Sequence, residues 1–81
     1  MKTQNKPLSR LITEHDEANN KMIQHFGDDV VRIEIDKNTG HFGVFVHGEL
    51  VDAYIRLTTD ELENLQRKYA DVWFELTNKC N

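Results

Sequence analysis

Three segments in the middle of the chain alternate hydrophobic and polar residues, which is the pattern of β-strands that bury one face. They predict strands near residues 30–36, 41–47 and 49–57. The alternation places one set of hydrophobic residues on a shared, buried face: Val31, Ile33, Ile35, Phe42, Val44, Val51, Ala53, Ile55 and Leu57.

The segments between these strands are short enough to form hairpins. Residues 37–40 end in Gly40 and predict a four-residue turn, and His47-Gly48 predicts a two-residue loop, because glycine accepts positive φ. These lengths set the cross-strand partners, which are Ile33 with Val44, Val44 with Val51 and Phe42 with Ala53 on the buried face, and Arg32 with Phe45, Phe45 with Leu50 and His41 with Tyr54 on the outer face. Because a one-residue slip would invert a face, the agreement of the two hairpins favours a three-stranded antiparallel meander.

Hydrophobic spacing predicts a helix before this meander, over residues 8–26. Its stripe would consist of Leu8, Leu11, Ile12, Met22, Ile23 and Phe26. Pro7 suits the first helical turn and Gly27 suits a left-handed C-cap. His15 and Asn19 fall within the stripe, and indicate either a weakly buried helix centre or a break near Asn19-Asn20.

A second helix is predicted after the meander, over residues 59–77. Thr58 and Glu61 have the spacing of a capping box, in which each side chain accepts a hydrogen bond from the other residue's backbone N–H. The hydrophobic stripe consists of Leu62, Leu65, Tyr69, Val72, Trp73 and Leu76. We expect Trp73 in the core, whereas Phe74 points away from the stripe and is a candidate interface anchor.

The predicted fold is therefore a single α+β domain with the order α-β-β-β-α, in which both helices pack on one face of the sheet. The domain would span residues 8–78, with a flexible tail at 1–7 and a short tail at 79–81. This order of elements resembles that of the double-stranded-RNA-binding domain. That family places a lysine-rich cluster at the start of its last helix, where this chain has the acidic segment Thr58–Asn64. The resemblance therefore does not imply RNA binding here.

Composition narrows the class of protein. The chain has 81 residues, 38% of them hydrophobic and 30% charged, which is ordinary for a globular protein and too hydrophobic for disorder. The longest hydrophobic run is Val44-Phe45-Val46, far short of the roughly 20 residues of a membrane span. The lone cysteine, Cys80, favours a reducing cytoplasm. The net charge of −4 disfavours binding to duplex phosphates.

No motif for catalysis, metal binding or a cofactor is present. The four histidines, at positions 15, 25, 41 and 47, lack the close spacing of a structural zinc site. We expect His15 to be satisfied by Asn19 or by a backbone group. Asp36, His41 and Tyr54 are outer-face neighbours in the predicted register, but an open sheet offers no cleft beside them, so the sequence does not indicate an enzyme.

The outer sheet face is the best candidate for function, because both predicted helices cover the other side. Gly43 would leave a shallow depression in this face. The candidate partner-binding residues are Arg32, Phe45, Leu50, Tyr54, His41 and Phe74. They favour a small non-enzymatic protein-binding module, such as an adaptor, regulator or inhibitor, that acts through the open face or by forming a homodimer.

The alternative is a single-stranded nucleic-acid-binding domain that uses the same face. It would need Arg32 and Arg56 near the nucleic-acid backbone and an aromatic ring of Phe45 or Tyr54 under a base. The acidic neighbours on that face oppose this alternative, and they are Glu34, Asp36 and Asp52.

Overall fold

The computed structural model describes residues 10–78, which form a five-stranded antiparallel sheet and one helix. The elements are β1 (Ile12–Asp16), β2 (Lys21–His25), β3 (Val31–Asp36), β4 (His41–Val46), β5 (Glu49–Ile55) and α1 (Thr59–Asn78). The strands lie in the sheet in chain order, so β3 is central and β1 and β5 are the edges. Helix α1 packs on one side, the covered face, and the opposite side is the open face.

The predicted N-terminal helix is wrong. Its described part forms β1 and β2, and residues 8 and 9 lie outside the described chain. The tight turn between the strands explains the change, because Asn19 donates to the Asp16 carboxylate from its backbone N–H (3.3 Å) and side-chain amide (2.9 Å). Asn20 then adopts a left-handed φ of 55°, which a helix does not accept. The helix-like spacing came from neighbouring hydrophobic residues, such as Met22 and Ile23, that lie on opposite sheet faces.

The sheet therefore has five strands rather than the three that were predicted, with one helix in the described chain instead of two. The α-β-β-β-α order and its likeness to the double-stranded-RNA-binding domain do not hold. Strand β3, which was expected at an edge, has β2 and β4 on either side. The predicted tails at 1–7 and 79–81, including Cys80, lie outside the described residues.

The register of β3 on β4 is as predicted. Ile33 pairs with Val44 on the covered face, and Arg32 pairs with Phe45 on the open face. Val31, Ile33 and Val44 are completely buried beneath α1. These two strands thus supply the centre of the hydrophobic core.

The register of β4 on β5 agrees with the prediction only beside the loop. His47 and Gly48 both have positive φ, 52° and 84°, as a two-residue loop of this kind requires. Phe45 then pairs with Leu50 as expected, but Val44 pairs with Asp52, so that Val51 is the extra residue of a β-bulge.

The bulge inverts the rest of β5 relative to the prediction. Tyr54 now pairs with the buried Phe42 on the covered face, and Ala53 pairs with Gly43 on the open face. The expected pairs Val44 with Val51, Phe42 with Ala53 and His41 with Tyr54 are wrong. Val51, Ala53 and Ile55 are exposed rather than buried in the core, because one inserted residue exchanges the two faces of a strand.

Helix α1 matches its prediction closely. The Thr58 backbone N–H donates to Glu61 at 2.9 Å and the Glu61 N–H donates to the Thr58 hydroxyl at 3.2 Å, which completes the capping box. Trp73 is buried and stacks on Phe26, with ring centroids 5.2 Å apart. The core consists of Phe26, Val31, Ile33, Ile35, Phe42, Val44, Leu65, Tyr69, Ala70 and Trp73.

Hydrogen bonds from three side chains of α1 tie the helix to the sheet and the β2–β3 loop. The Gln66 amide donates to Gln24 of β2 at 2.9 Å, and the Trp73 indole donates to Asp28 in the β2–β3 loop at 3.1 Å. On the other flank, the Tyr69 hydroxyl donates to Asp52 of β5 at 2.5 Å. Within residues 10–78, no helix is apolar enough over a sufficient length to cross a bilayer.

Candidate interaction surface on the open sheet face

The open face divides into two parts of different chemistry. The charged half lies on β1, β2 and β3 and includes Glu14, Lys21, His25, Arg32 and Glu34. The apolar half lies on β4 and β5 and consists of Gly43, Phe45, Leu50, Ala53 and Ile55. Directly paired residues share a face, so the strand registers assign each member to this side of the sheet.

Ion pairs within the charged half satisfy its charges internally. Arg32 contacts the Glu34 carboxylate at 2.7 Å, and Lys21 approaches the other oxygen of the same carboxylate at 3.7 Å. His25 lies 3.4 Å from Glu14. These groups already have partners, so a binding protein would have to displace those partners to use them.

The apolar half has no comparable internal cover. Leu50 is 57% exposed and Ile55 is 66% exposed. A Cβ atom added at Gly43 would lie 3.3 Å from both the Leu50 side chain and the Phe45 ring, so glycine lets these groups rest on the β4 backbone. A shallow depression of about 230 Å³ lies there, as the sequence predicted, with Gly43, Phe45, Leu50 and Ala53 among its lining residues.

The exposed hydrophobic surface continues along the free edge of β5. Among residues 10–78, five large hydrophobic residues are exposed, namely Ile12, Leu50, Val51, Ile55 and Phe74. Three of them belong to β5, whose outer edge has no neighbouring strand in the sheet. Such an edge presents unpaired backbone N–H and C=O groups to any extended segment that approaches it.

A groove of about 340 Å³ follows the same edge on the covered side, between β5 and α1. Its lining is formed by Tyr54, Leu57, Leu65, Glu61, Asn64 and Lys68. Its lining thus combines hydrophobic and aromatic side chains with polar ones, which is a common composition for a binding groove.

Asp52 of β5 carries a charge on the covered face. The Tyr69 hydroxyl hydrogen bond, with help from Tyr54 and Lys68, lowers the pKa of Asp52 below its usual range. Burial and the hydrogen bond to Asp52 raise the pKa of Tyr69. Asp52 is therefore held as a carboxylate and Tyr69 as a neutral phenol at neutral pH.

The structure brings together four of the six predicted binding residues. Arg32, Phe45 and Leu50 form one cross-strand row, and His41 is exposed on the same face. Tyr54 does not belong to this surface, since the bulge turns it toward α1. Phe74, 47% exposed, lies on the helix rather than the sheet.

Tyr54 also leaves the predicted group of Asp36, His41 and Tyr54, and Ile55 takes its place opposite His41. Sequence reasoning missed Ile55 and Ala53, which it placed in the core. The signal that could have revealed them is the adjacent hydrophobic pair Leu50-Val51, which breaks strict alternation in the strand.

The open face offers the nucleic-acid alternative less than the sequence suggested. Arg32 is already paired with Glu34, and Tyr54 lies on the other side, so Phe45 is left as the aromatic residue of the described open face. His15 was predicted to be satisfied by Asn19 or by a backbone group, but its Nδ1 lies 3.4 Å from the Lys37 amine and Asn19 bonds to Asp16. In the described chain, no three His, Cys, Asp or Glu side chains group closely enough to hold a metal ion.

Comparison of the chain with protein-family models, with curated proteins and with solved structures found no match. Any function must therefore be inferred from the chemistry of the chain's own surface.

Proposed function

We propose that the protein is a small, non-enzymatic protein-binding module of the cytoplasm, and that it contacts its partner through the apolar half and the β5 edge. The observation that carries this proposal is the exposure of Leu50 and Ile55, each more than half accessible, on a strand with a free edge. The lone cysteine of the chain supports the cytoplasmic assignment.

Burial of this surface would provide the binding free energy. Full burial of a leucine or isoleucine side chain is worth about 1.5–3 kcal/mol, so covering the exposed parts of Leu50 and Ile55 would contribute about 2 kcal/mol together. The free backbone groups of β5 would add hydrogen bonds with directional specificity. The charged half has a free edge at β1 but one exposed large hydrophobic residue there, Ile12, against three on β5, which supports a contact centred on β4 and β5.

The chemistry of the apolar half favours binding over catalysis. Its members are glycine, alanine and hydrocarbon side chains, and the ionisable residues beside it are His41, which pairs with Ile55, and Asp36, which pairs with His41. General acid–base or nucleophilic catalysis needs a second reactive group within hydrogen-bond reach in a pocket that excludes water. The depression around Gly43 is open and shallow, which suits a side chain of a protein partner.

Site-specific photocrosslinking in cells or native extract tests the proposal. A photoreactive phenylalanine analogue would replace Ile55 in one variant and Ile12, which is 43% exposed on the opposite edge strand, in the control. We expect protein adducts from position 55 and few from position 12, with the crosslinked chain, including a second copy, identified by mass spectrometry. Equal capture at both positions, or none at position 55, would rule out this surface as the binding site.

A further inference from the structure

The bulge in β5 makes this strand self-complementary. Leu50 lies opposite Phe45 and Asp52 lies opposite Val44, so Val51 takes no ladder position of its own. Counted in ladder positions, Ala53 has Glu49, Leu50 and Asp52 before it and Tyr54 and Ile55 after it. Arg56 directly follows the end of the strand, with a left-handed φ of 58°.

We propose that a second copy of this chain is the partner of the β5 edge, and that the two β5 strands pair antiparallel about a two-fold axis at Ala53. This inference rests on the proposed function and names its partner. The two sheets would join into one continuous sheet with both α1 helices on the same side. A two-fold axis makes each contact occur twice, so a strand that complements itself gains from every pairing.

The proposed axis matches each position with a partner on the same face. Leu50 of one copy meets Ile55 of the other on the open face, and Asp52 meets Tyr54 on the covered face, where a phenol can donate to the carboxylate. Ala53 meets itself at the centre, where a small side chain allows close approach. If Val51 occupied a regular ladder position, Leu50 and Ile55 would lie on opposite faces, and this match would be lost.

The charges at the start of β5 and just after its end also favour antiparallel pairing of two copies. Glu49 and Arg56 are both exposed, and within residues 10–78 neither forms an ion pair. The two-fold axis places Glu49 of each copy beside Arg56 of the other. Parallel pairing in register would instead bring like charges together, which disfavours association.

The groove between β5 and α1 accommodates the covered side of the second copy. A strand added beside β5 directs alternate side chains toward the helix side. Those side chains would enter the groove lined by Tyr54, Leu57 and Leu65. A β5 strand from a second copy supplies Tyr54 and Asp52 at these positions, and the groove lining contains both hydrophobic and polar residues to meet them.

The other edge of the sheet does not share these properties. Strand β1 reads Ile-Thr-Glu-His-Asp and has one exposed large hydrophobic residue, Ile12. Its charged side chains Glu14 and Asp16 discourage the addition of a strand. The second copy is therefore expected at β5 and not at β1.

Sedimentation equilibrium of the full-length chain, from low to high micromolar concentration, tests the inference. We expect the mass to rise from 9.5 kDa toward twice that value. Ile55→Lys should raise the dimer dissociation constant by at least tenfold, since it puts a charge in the hydrophobic contact. The matched control Ile12→Lys should leave it unchanged within twofold, and circular dichroism should show both variants folded.

Charge reversal tests the antiparallel register independently. Glu49→Arg and Arg56→Glu should each weaken self-association by about tenfold, because two favourable pairs per dimer become repulsive. A mixture of the two variants should associate more tightly than either alone, since the mixed dimer restores both opposite-charge pairs. A mixture no tighter than its components would overturn the register.

A constant mass of 9.5 kDa at high micromolar concentration would overturn the second copy as partner, as would a dimer that Ile12→Lys breaks and Ile55→Lys does not. Failure here is distinguishable from failure of the proposed function. Crosslinking of a different protein at position 55 would leave the binding surface intact and exclude only self-association. An absence of any crosslink at that position would remove both.

Discussion

The two faces of the sheet carry similar hydrophobic residues in opposite surroundings. On the covered face, Ile33 and Val44 are completely buried, whereas on the open face Leu50 and Ile55 are 57% and 66% exposed. Residue type does not distinguish the two sets. The difference teaches that burial in this protein depends on strand parity and on the side where α1 packs, so a hydrophobic strand residue here can be either core or contact surface.

Polar side chains also depend on which face they occupy, and those on the covered face are buried and hydrogen-bonded. Gln24 on the covered face is only 6% exposed, but its amide donates to Thr13 at 3.3 Å and its oxygen accepts from Gln66. No buried side-chain nitrogen or oxygen in the described residues lacks a hydrogen-bond partner. The buried polar groups of the covered face are thus satisfied internally, while the open face retains hydrophobic surface that nothing in the described chain covers.

The largest expected effect comes from shortening the same residue type on each face. Ile33→Ala should lower the free energy of unfolding by about 2–5 kcal/mol, since it leaves a cavity beneath α1. Ile55→Ala should change it by less than about 0.5 kcal/mol, because the side chain is largely in water. Urea unfolding of both variants measures the contrast. A loss of several kcal/mol in the free energy of unfolding of Ile55→Ala would show that Ile55 belongs to the core.

The buried glutamine should show the next largest effect. Gln24→Ala should cost about 1–2 kcal/mol, because it deprives the partly buried Gln66 amide of its acceptor. Glu14→Ala on the open face is the control, since the Glu14 side chain is 63% exposed and its contact with His25 should contribute less than about 0.5 kcal/mol. Equal losses of unfolding free energy in chemical denaturation would show that polar contacts on the covered face stabilise the fold no more than those on the open face.

Deleting the bulged residue sharpens the comparison further. Removal of Val51 brings Leu50 and Asp52 into consecutive ladder positions opposite Phe45 and Val44, so the faces are preserved and the stability should change by only about 1 kcal/mol. Val44 occupies a regular ladder position, so no extra residue compensates for its removal, which should unfold the chain. Thermal unfolding followed by circular dichroism compares the two deletions. Loss of the fold on removal of Val51 would show that the bulge is structurally required.

The smallest expected effect is on how the free energy of unfolding depends on pH in the acid range. The Tyr69 hydrogen bond lowers the pKa of Asp52 in the folded chain, so this carboxylate contributes stability that is fully present above its unfolded pKa. The contribution is lost as the pH falls through the lowered folded value. Asp52→Asn should therefore make unfolding free energy fall less steeply between pH 5 and roughly pH 2 than in the unaltered chain. Identical slopes would argue against the Tyr69–Asp52 contact.

Local interactions determined what the sequence predicted correctly. The capping box of Thr58 and Glu61 and the two-residue loop at His47-Gly48 depend on residues that are close in the chain. The pairing of β3 with β4 follows from a turn of set length between two alternating segments. The stripe of α1, with Trp73 in the core, follows from its 3.6-residue period.

Tertiary structure decided the N-terminal part of the fold. Leu11-Ile12 and Met22-Ile23 fit a helical stripe, and they fit equally well a pair of strands with hydrophobic residues on both faces. The choice depends on β3, which offers its free edge to β2 and pairs Gln24 with Ile33. Because β3 lies outside the segment that was read as a helix, periodicity within that segment does not include the free energy of pairing with β3.

Tertiary structure also decided which side of β5 faces α1, and with it most of the candidate surface. The sequence by itself placed Arg32, Phe45 and Leu50 in one row, because those positions precede the bulge. It could not place Tyr54 and Ile55, because an unpaired residue in the ladder exchanges the faces of every residue after it. The insertion at Val51 is set by how β5 packs between β4 and α1, where Asp52 meets Tyr69.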